Sequence, residues 1–297
     1  MEFDANLGTL DTDFLILGEN EMPQTEDTLT TTDGQKLHIN QWAIDAPKAV
    51  VIIAHGLAEH SGRYAYVAAQ LNKAGYSVVA PDHRAHGKSD GEPRACVKDF
   101  TVFVDDLNLL WDKSAAEYPD TPMFLVGHSM GGLIATMFAL RYQDKMRGLV
   151  TSGAGLMAGE GVPKIALLLG KIIAKIAPML GIAQLESADV SRDPAVVADY
   201  DSDPLNYRGK VRAGFATDML GNGEKVLRNA AKLKLPMLIM HGEGDRLVPP
   251  EASKLLYEGS SSDDKTVKIY PELYHEIFNE PEKDTVIADL VVWLDAH

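Results

Sequence analysis

The chain has 297 residues, 45% of them hydrophobic, enough to bury a substantial core as one large α/β domain or two small ones. A net charge of −15 argues against a nucleic-acid partner, because such binding rests mainly on neutralising phosphates, and against laying the whole surface on an anionic membrane. A single cysteine, Cys96, excludes a disulfide framework and fits a reducing, cytoplasmic setting.

The N-terminus, Met1-Glu-Phe-Asp-Ala-Asn, has no basic segment followed by an apolar core, so no signal peptide is expected. No run of about 18 apolar residues predicts a membrane-spanning helix. Residues 1–25 have little periodicity and read as a loosely ordered extension. Two short strands follow, about Asp27–Thr32 and Lys36–Ala43, joined by the hairpin signal Asp33-Gly34. They predict an antiparallel edge to a mixed sheet. Ala49-Val-Val-Ile-Ile-Ala54 is a β-branched run of the kind buried on both faces, and it ends at His55-Gly56-Leu57.

A helix near Tyr64–Ala74 leads to the strand Tyr76–Ala80 and the loop Pro81-Asp-His-Arg-Ala-His-Gly-Lys-Ser-Asp-Gly91. His55, His83 and His86 invite a metal-site reading, yet their spacing matches no metal-binding pattern, and no metal or cofactor is expected. A long helix, about Lys98–Glu117, precedes the strand beginning Met123-Phe-Leu-Val. That strand stops at Gly127-His128-Ser129-Met130-Gly131, a G-x-S-x-G pattern, and helix-compatible residues Leu133–Leu140 follow. Strand, tight turn and helix is the setting in which such a serine is held in a strained conformation with its hydroxyl exposed. The Met130 amide then sits at a helix N-terminus and can hold an oxyanion; the loop after Ala54 would supply a second donor from the backbone of Leu57.

After the strand Gly148–Ser152 the βα alternation stops, and residues 154–223 read as a helical cap inserted into the α/β core formed by 26–153 and 224–297. Within it, Lys164–Leu180 places Ile165, Leu168, Leu169, Ile172, Ile173 and Ile176 on one helical face and Lys164, Lys171 and Lys175 on another. Two readings stay open: a face packed on the core, or a lid helix turned toward lipid or acyl chain. Asp193-Pro194 and Asp203-Pro204 are helix-start or turn signals.

The sheet pattern resumes at Pro236–Met240 and runs into His241-Gly242-Glu243-Gly244-Asp245. A helix near Pro250–Glu258, the strand Thr266–Tyr270, the loop with His275, and a helix at about Lys283–Ala296 complete the chain. The order Ser129, Asp245, His275, with the last two on loops after late strands, predicts nucleophile, orienting acid and general base of an acyl-transfer site. Glu243 is the rival acid; His241 and His128 are the rival bases.

Taken together, His55-Gly56, Glu59-His60-Ser61-Gly62-Arg63-Tyr64, Asp82-His83, His86-Gly87-Lys88-Ser89, the elbow at 127–132, Asp245-Arg246 and Tyr274-His275 resemble the monoacylglycerol lipase family of α/β-hydrolases. The likeness runs from about Thr25 to the C-terminus and includes Ser191-Arg192 and Tyr200-Asp-Ser-Asp-Pro204 of the cap. It implies a mostly parallel doubly wound sheet, and hydrolysis of a monoacylglycerol or other single-chain acyl ester under a mobile, membrane-touching lid. Ile172 and Ile176 would then meet the acyl chain. Glu59 and Arg63 are implied at the glycerol end, with a loop-bracing ion pair as the alternative. Where mammalian members resemble one another in a second histidine that contacts glycerol, this chain has Phe278, three residues beyond His275. Their regulatory cysteines are missing too, with Val248 standing where one would be expected. A lysophospholipase, a broad carboxylesterase and an inactive hydrolase-fold lipid-binding protein are the alternative functions.

Overall fold

A computed structural model describes residues 24–158 and 164–297. The expected N-terminal extension lies outside the described residues up to position 23; Gln24 and Thr25 already belong to the first strand. An eight-stranded sheet forms the centre, built from β1 (Gln24–Thr30), β2 (Lys36–Trp42), β3 (Ala49–Ala54), β4 (Tyr76–Pro81), β5 (Met123–His128), β6 (Gly148–Ser152), β9 (Met237–Gly242) and β10 (Lys265–Tyr270). Their spatial order is β1-β2-β4-β3-β5-β6-β9-β10. β1 and β2 are antiparallel, and β2 also meets β4 antiparallel, so the hairpin forms the edge that its turn signal predicts. Every pairing from β4 to β10 is parallel.

β3 shows why the β-branched run folds as it does. Val50 and Ile52 face one apolar layer while Val51 and Ile53 face the other, because successive side chains leave a strand on opposite sides. The first layer contains residues of α2 (Val102–Glu117), α3 (Met130–Tyr142), α6 (Ala213–Asn229) and α7 (Glu251–Gly259); the second contains α1 (Ala65–Lys73) and α8 (Lys283–Ala296). Helices on both faces close a doubly wound α/β-hydrolase fold.

Between β6 and β9 the chain leaves the sheet. It forms α4 (Lys164–Ile176), β7 (Gly181–Ala183), α5 (Pro194–Ser202) and β8 (Val211–Arg212) before α6. α4 stops four residues short of the expected Leu180, because Pro178 disfavours helical geometry in the residue before it. Asp193 caps α5, accepting from Ala195 N at 2.9 Å, and Pro194 takes its first position, where a missing N–H costs nothing. The cap boundary expected at 223 falls inside α6, a continuous helix that packs on both α4 and α3. Apolar residues at Phe215 and Val226 keep one helical face on the core across the whole length, so no break in the chain marks the end of the cap. The β7–β8 ribbon carries no signal of its own; two- and three-residue strands are too short for periodicity to register.

Candidate active site

Ser129 stands between the end of β5 and the first residue of α3, with φ 52° and ψ −117°. That conformation is strained for a residue with a side chain, and it persists because the surroundings lock it. Ser129 N donates to Ser152 O at 2.9 Å, and Ser129 O accepts from Gly155 N at 2.8 Å and Leu133 N at 3.1 Å. Two glycines make the close approach feasible: a Cβ at Gly131 would collide with the Ala54 and His55 carbonyls, and one at Gly127 with Gly131 O. The helix therefore starts at Met130, three residues earlier than its apolar run suggests.

Across the sheet, Asp245 follows β9 and His275 follows β10. His275 Nδ1 donates to Asp245 Oδ2 at 2.6 Å, while Asp245 Oδ1 accepts from Leu247 N and Val248 N at 2.9 Å each. Burial alone would raise the Asp245 carboxyl, but its two imidazole neighbours, His275 and His241, outweigh that and hold it well below the usual range. Burial likewise opposes a charged His275, yet the Asp245 carboxylate, with Glu276 and Glu59 beyond, raises it above the ordinary histidine value. Gly153, at φ 54°, lies behind this pair; a Cβ there would stand 3.2 Å from His275 Nδ1 and 3.4 Å from Asp245 Oδ2.

The rivals are placed differently. Glu243 is exposed. His128 is buried with its ring centroid 4.7 Å from that of His275, and burial together with that neighbour pushes it down to about 3. His241 does not reach the cavity. Of the loop histidines, His55 Nε2 accepts from His83 N at 2.9 Å and His55 Nδ1 donates to Gly56 O at 2.7 Å, bracing the loop that presents Leu57.

Ser129, His275, Leu57 and Met130 line one cavity of about 540 Å³. Among the described residues, neither the Leu57 nor the Met130 amide donates to a backbone or side-chain acceptor, so both remain available to a bound oxygen. One end of the cavity is polar, with Glu59, Glu276 and Tyr200. Glu59 Oε1 accepts from Gly56 N at 2.5 Å and Tyr64 Oη at 2.8 Å, and its Oε2 accepts from Arg63 Nη1 at 2.8 Å. Arg63 also grips Glu276 through both terminal nitrogens at 2.6 and 2.7 Å and lies 4.8 Å over the Tyr200 ring. Burial, reinforced by the second carboxylate, raises Glu59; for Glu276 burial is outweighed by Arg63, and its carboxyl is lowered. Arg63 is thus a brace behind the cavity wall and does not itself line it, whereas Glu59 does.

The other end is apolar, lined by Met157, Ala166, Leu169, Ile173, Ile182 and Leu220 among others. Two expectations are corrected here. Ile172 and Ile176 do not line the cavity. They are 47% and 80% exposed, because the α4 stripe is wider than the part that meets the cavity, which among the described residues is Ala166, Leu169, Gly170 and Ile173. Phe278 is 4% exposed and packs in the apolar layer with Ile277, Val286 and Leu290, away from the cavity; an aromatic ring there gains more from the core than from a polar pocket. Glu276 and Tyr200 were not foreseen as cavity residues. For Glu276 the only signal is its place beside His275, and for Tyr200 its place in the cap segment 200–204.

The cap is tied to the histidine loop. Glu280 Oε1 accepts from both Arg192 N and Tyr274 N, at 2.9 and 3.0 Å, and Glu276 N donates to Val190 O at 2.8 Å. Among the described residues no helix is long and apolar enough to cross a membrane.

Residues 45–282 match the family model described as serine aminopeptidase, S33. The chain is 39% identical over 275 residues to the monoacylglycerol lipase of Mycolicibacterium smegmatis, covering 92% of this chain and 98% of that one. It is 36% identical to the monoglyceride lipase of Homo sapiens, covering 90% and 89%. The crystal structure of Paleococcus ferrophilus monoacylglycerol lipase superposes with a TM-score of 0.79 at 31% identity, over 88% of this chain and 99% of that one. With its strained serine, its late acid and histidine and its inserted cap, the chain belongs to the monoacylglycerol lipase family of α/β-hydrolases.

Proposed function

We propose that the chain is a serine ester hydrolase that cleaves monoacylglycerols to fatty acid and glycerol, with Ser129, His275 and Asp245 as its catalytic triad. The observation that carries this reading is a single cavity that holds Ser129 together with apolar residues such as Leu169, Ile173 and Leu220 and with the polar group Glu59, Glu276 and Tyr200, a lining suited to a chain-bearing ester with its carbonyl at the serine. Ser129 Oγ attacks the ester carbon as His275 takes its proton, and the oxyanion rests on the Leu57 and Met130 amides. The C–O bond to glycerol breaks as His275 returns the proton to the leaving oxygen. Water, deprotonated by His275, then releases the fatty acid from the acyl-enzyme. Asp245 holds the His275 tautomer and stabilises its imidazolium form.

The charge of the polar end favours a glycerol over a phosphorylated leaving group. Two carboxylates face one guanidinium that they already occupy, and among the described residues that line the cavity there is no lysine or arginine to meet a phosphodiester. The test is fatty-acid release from 1-monooleoylglycerol, a diacylglycerol, a lysophosphatidylcholine and a short p-nitrophenyl ester, with Ser129→Ala as control. Preference for the monoacylglycerol, abolished in the variant, is expected. Activity confined to the short ester would make the chain a general esterase, and failure of a fluorophosphonate to label Ser129 would make it a lipid-binding protein.

The same reading includes reversible docking of α4 on a lipid surface. Ile165, Leu168, Ile172, Ile176, Met179 and Leu180 are all exposed on or just after the helix that borders the cavity, an apolar surface of the kind that docks on lipid. Ile172→Asp is expected to weaken vesicle co-sedimentation and slow hydrolysis of vesicle-borne substrate; unchanged values would remove the docking step.

A further inference from the structure

The strand that leads into Asp245 carries a second imidazole to which ester hydrolysis, as set out above, gives no task. His241 is fully buried at the end of β9. Its Nδ1 is 2.7 Å from Ser253 Oγ on α7, and its Nε2 is 3.0 Å from Val248 O. The same Nε2 is 3.0 Å from Asp245 Oδ2, the oxygen that takes the His275 N–H at 2.6 Å. Both oxygens beside Nε2 are acceptors, so that nitrogen carries a proton whatever the charge on the ring. Because Asp245 Oδ1 is already filled by two backbone amides, Oδ2 is the oxygen that both imidazoles stand against, His275 through its hydrogen bond and His241 at 3.0 Å with its N–H also facing Val248 O.

A second donor on one carboxylate oxygen draws density away from the first bond and restrains the carboxylate from turning. We propose that His241 is a positioning residue for the reaction: it holds the Asp245 carboxylate in the orientation His275 needs and, by sharing Oδ2, keeps His275 from binding its proton too tightly. The inference rests on Asp245 and His275 acting as proposed above. The other groups facing His275 are His128 from β5, Glu59 from the loop after β3 and Glu276 beside it, with Arg63 behind the two glutamates. None of them touches His241, so a change there leaves them in place.

The experiment is the pH profile of kcat/KM on a water-soluble p-nitrophenyl ester for the wild type, His241→Asn, His241→Leu and His241→Gln. Asparagine keeps a partner for Ser253 but cannot reach Oδ2; leucine fills the space without a donor; glutamine returns an N–H near the Nε2 position. Active enzyme is counted in each by fluorophosphonate labelling, and asparagine serves if leucine does not fold. In the asparagine and leucine variants the acid limb is expected to move up by about half a pH unit or more, as an undivided Asp245 favours the imidazolium. Their kcat should fall roughly tenfold with KM within about twofold, and glutamine should restore the limb. A limb that stays put or moves down in both donor-free variants, or that glutamine fails to restore, overturns the proposal. Asp245→Asn run alongside separates the two levels: if it retains full rate, the triad assignment has failed, and if it is impaired while the His241 variants keep the wild-type limb, only the role of His241 has failed.

Discussion

The sheet around Ser129 and the α4 segment of the cap use apolar residues in opposite ways. In β3, β5 and β6 every residue is buried, and the Ser129 backbone is held by hydrogen bonds from three directions. In α4, Ile176 is 80% exposed and Ile165 61%, with neighbours of the same kind alongside. The first region spends its hydrophobic surface on rigidity; the second keeps it available. A nucleophile must be placed to a fraction of an ångström, whereas a cap over a lipid-sized cavity must meet apolar surface and let a chain pass.

Chemistry should be lost at the rigid end first. Ser129→Ala is expected to lower kcat by about 10⁴-fold or more in the fatty-acid release assay, with thermal stability retained. Gly153→Val, which presses on the His275–Asp245 pair from a positive-φ position, should cost about 10²-fold in kcat with a smaller change in KM. The acid limb gives a third measure. The proposed reaction needs neutral His275, whose folded pKa lies above the ordinary histidine value, so kcat/KM should begin to fall as pH drops while still above about 6.5. A pH–rate profile with its acid limb below that value would contradict the raised basicity.

The contrast in burial predicts a contrast in stability. Ile53→Ala removes a fully enclosed side chain and should cost about 2–4 kcal/mol in denaturant unfolding. Ile176→Ala should change stability by less than about 0.5 kcal/mol, since its side chain is mostly in water. Equal losses at the two positions would mean that α4 is packed as tightly as the sheet.

Much of this was legible before any coordinates. The elbow glycines, the hairpin at Asp33-Gly34 and the Asp193 cap act over a few residues, and each places its element within a few positions. Of the groups now gathered at the cavity, Glu59 was reached by family resemblance. Phe278, Ile172 and Ile176 were misplaced because a position in a motif or on an apolar stripe does not say which neighbour it meets. Glu276 and Tyr200 could not be connected at all: Arg63 joins them from a helical turn far away in the chain.

By itself the sequence determined the order of the central strands and the helices between them and offered Ser129, Asp245 and His275 as candidates for acyl transfer, since strand periodicity, tight-turn glycines and the Ser–Asp–His order are local or ordinal properties of a chain. Only the tertiary structure decided which edge of α4 meets the cavity, which core takes Phe278, and that His241 and His275 both stand against Asp245 Oδ2. These depend on how whole elements pack, and packing is set by the summed fit of many distant side chains that no short stretch encodes.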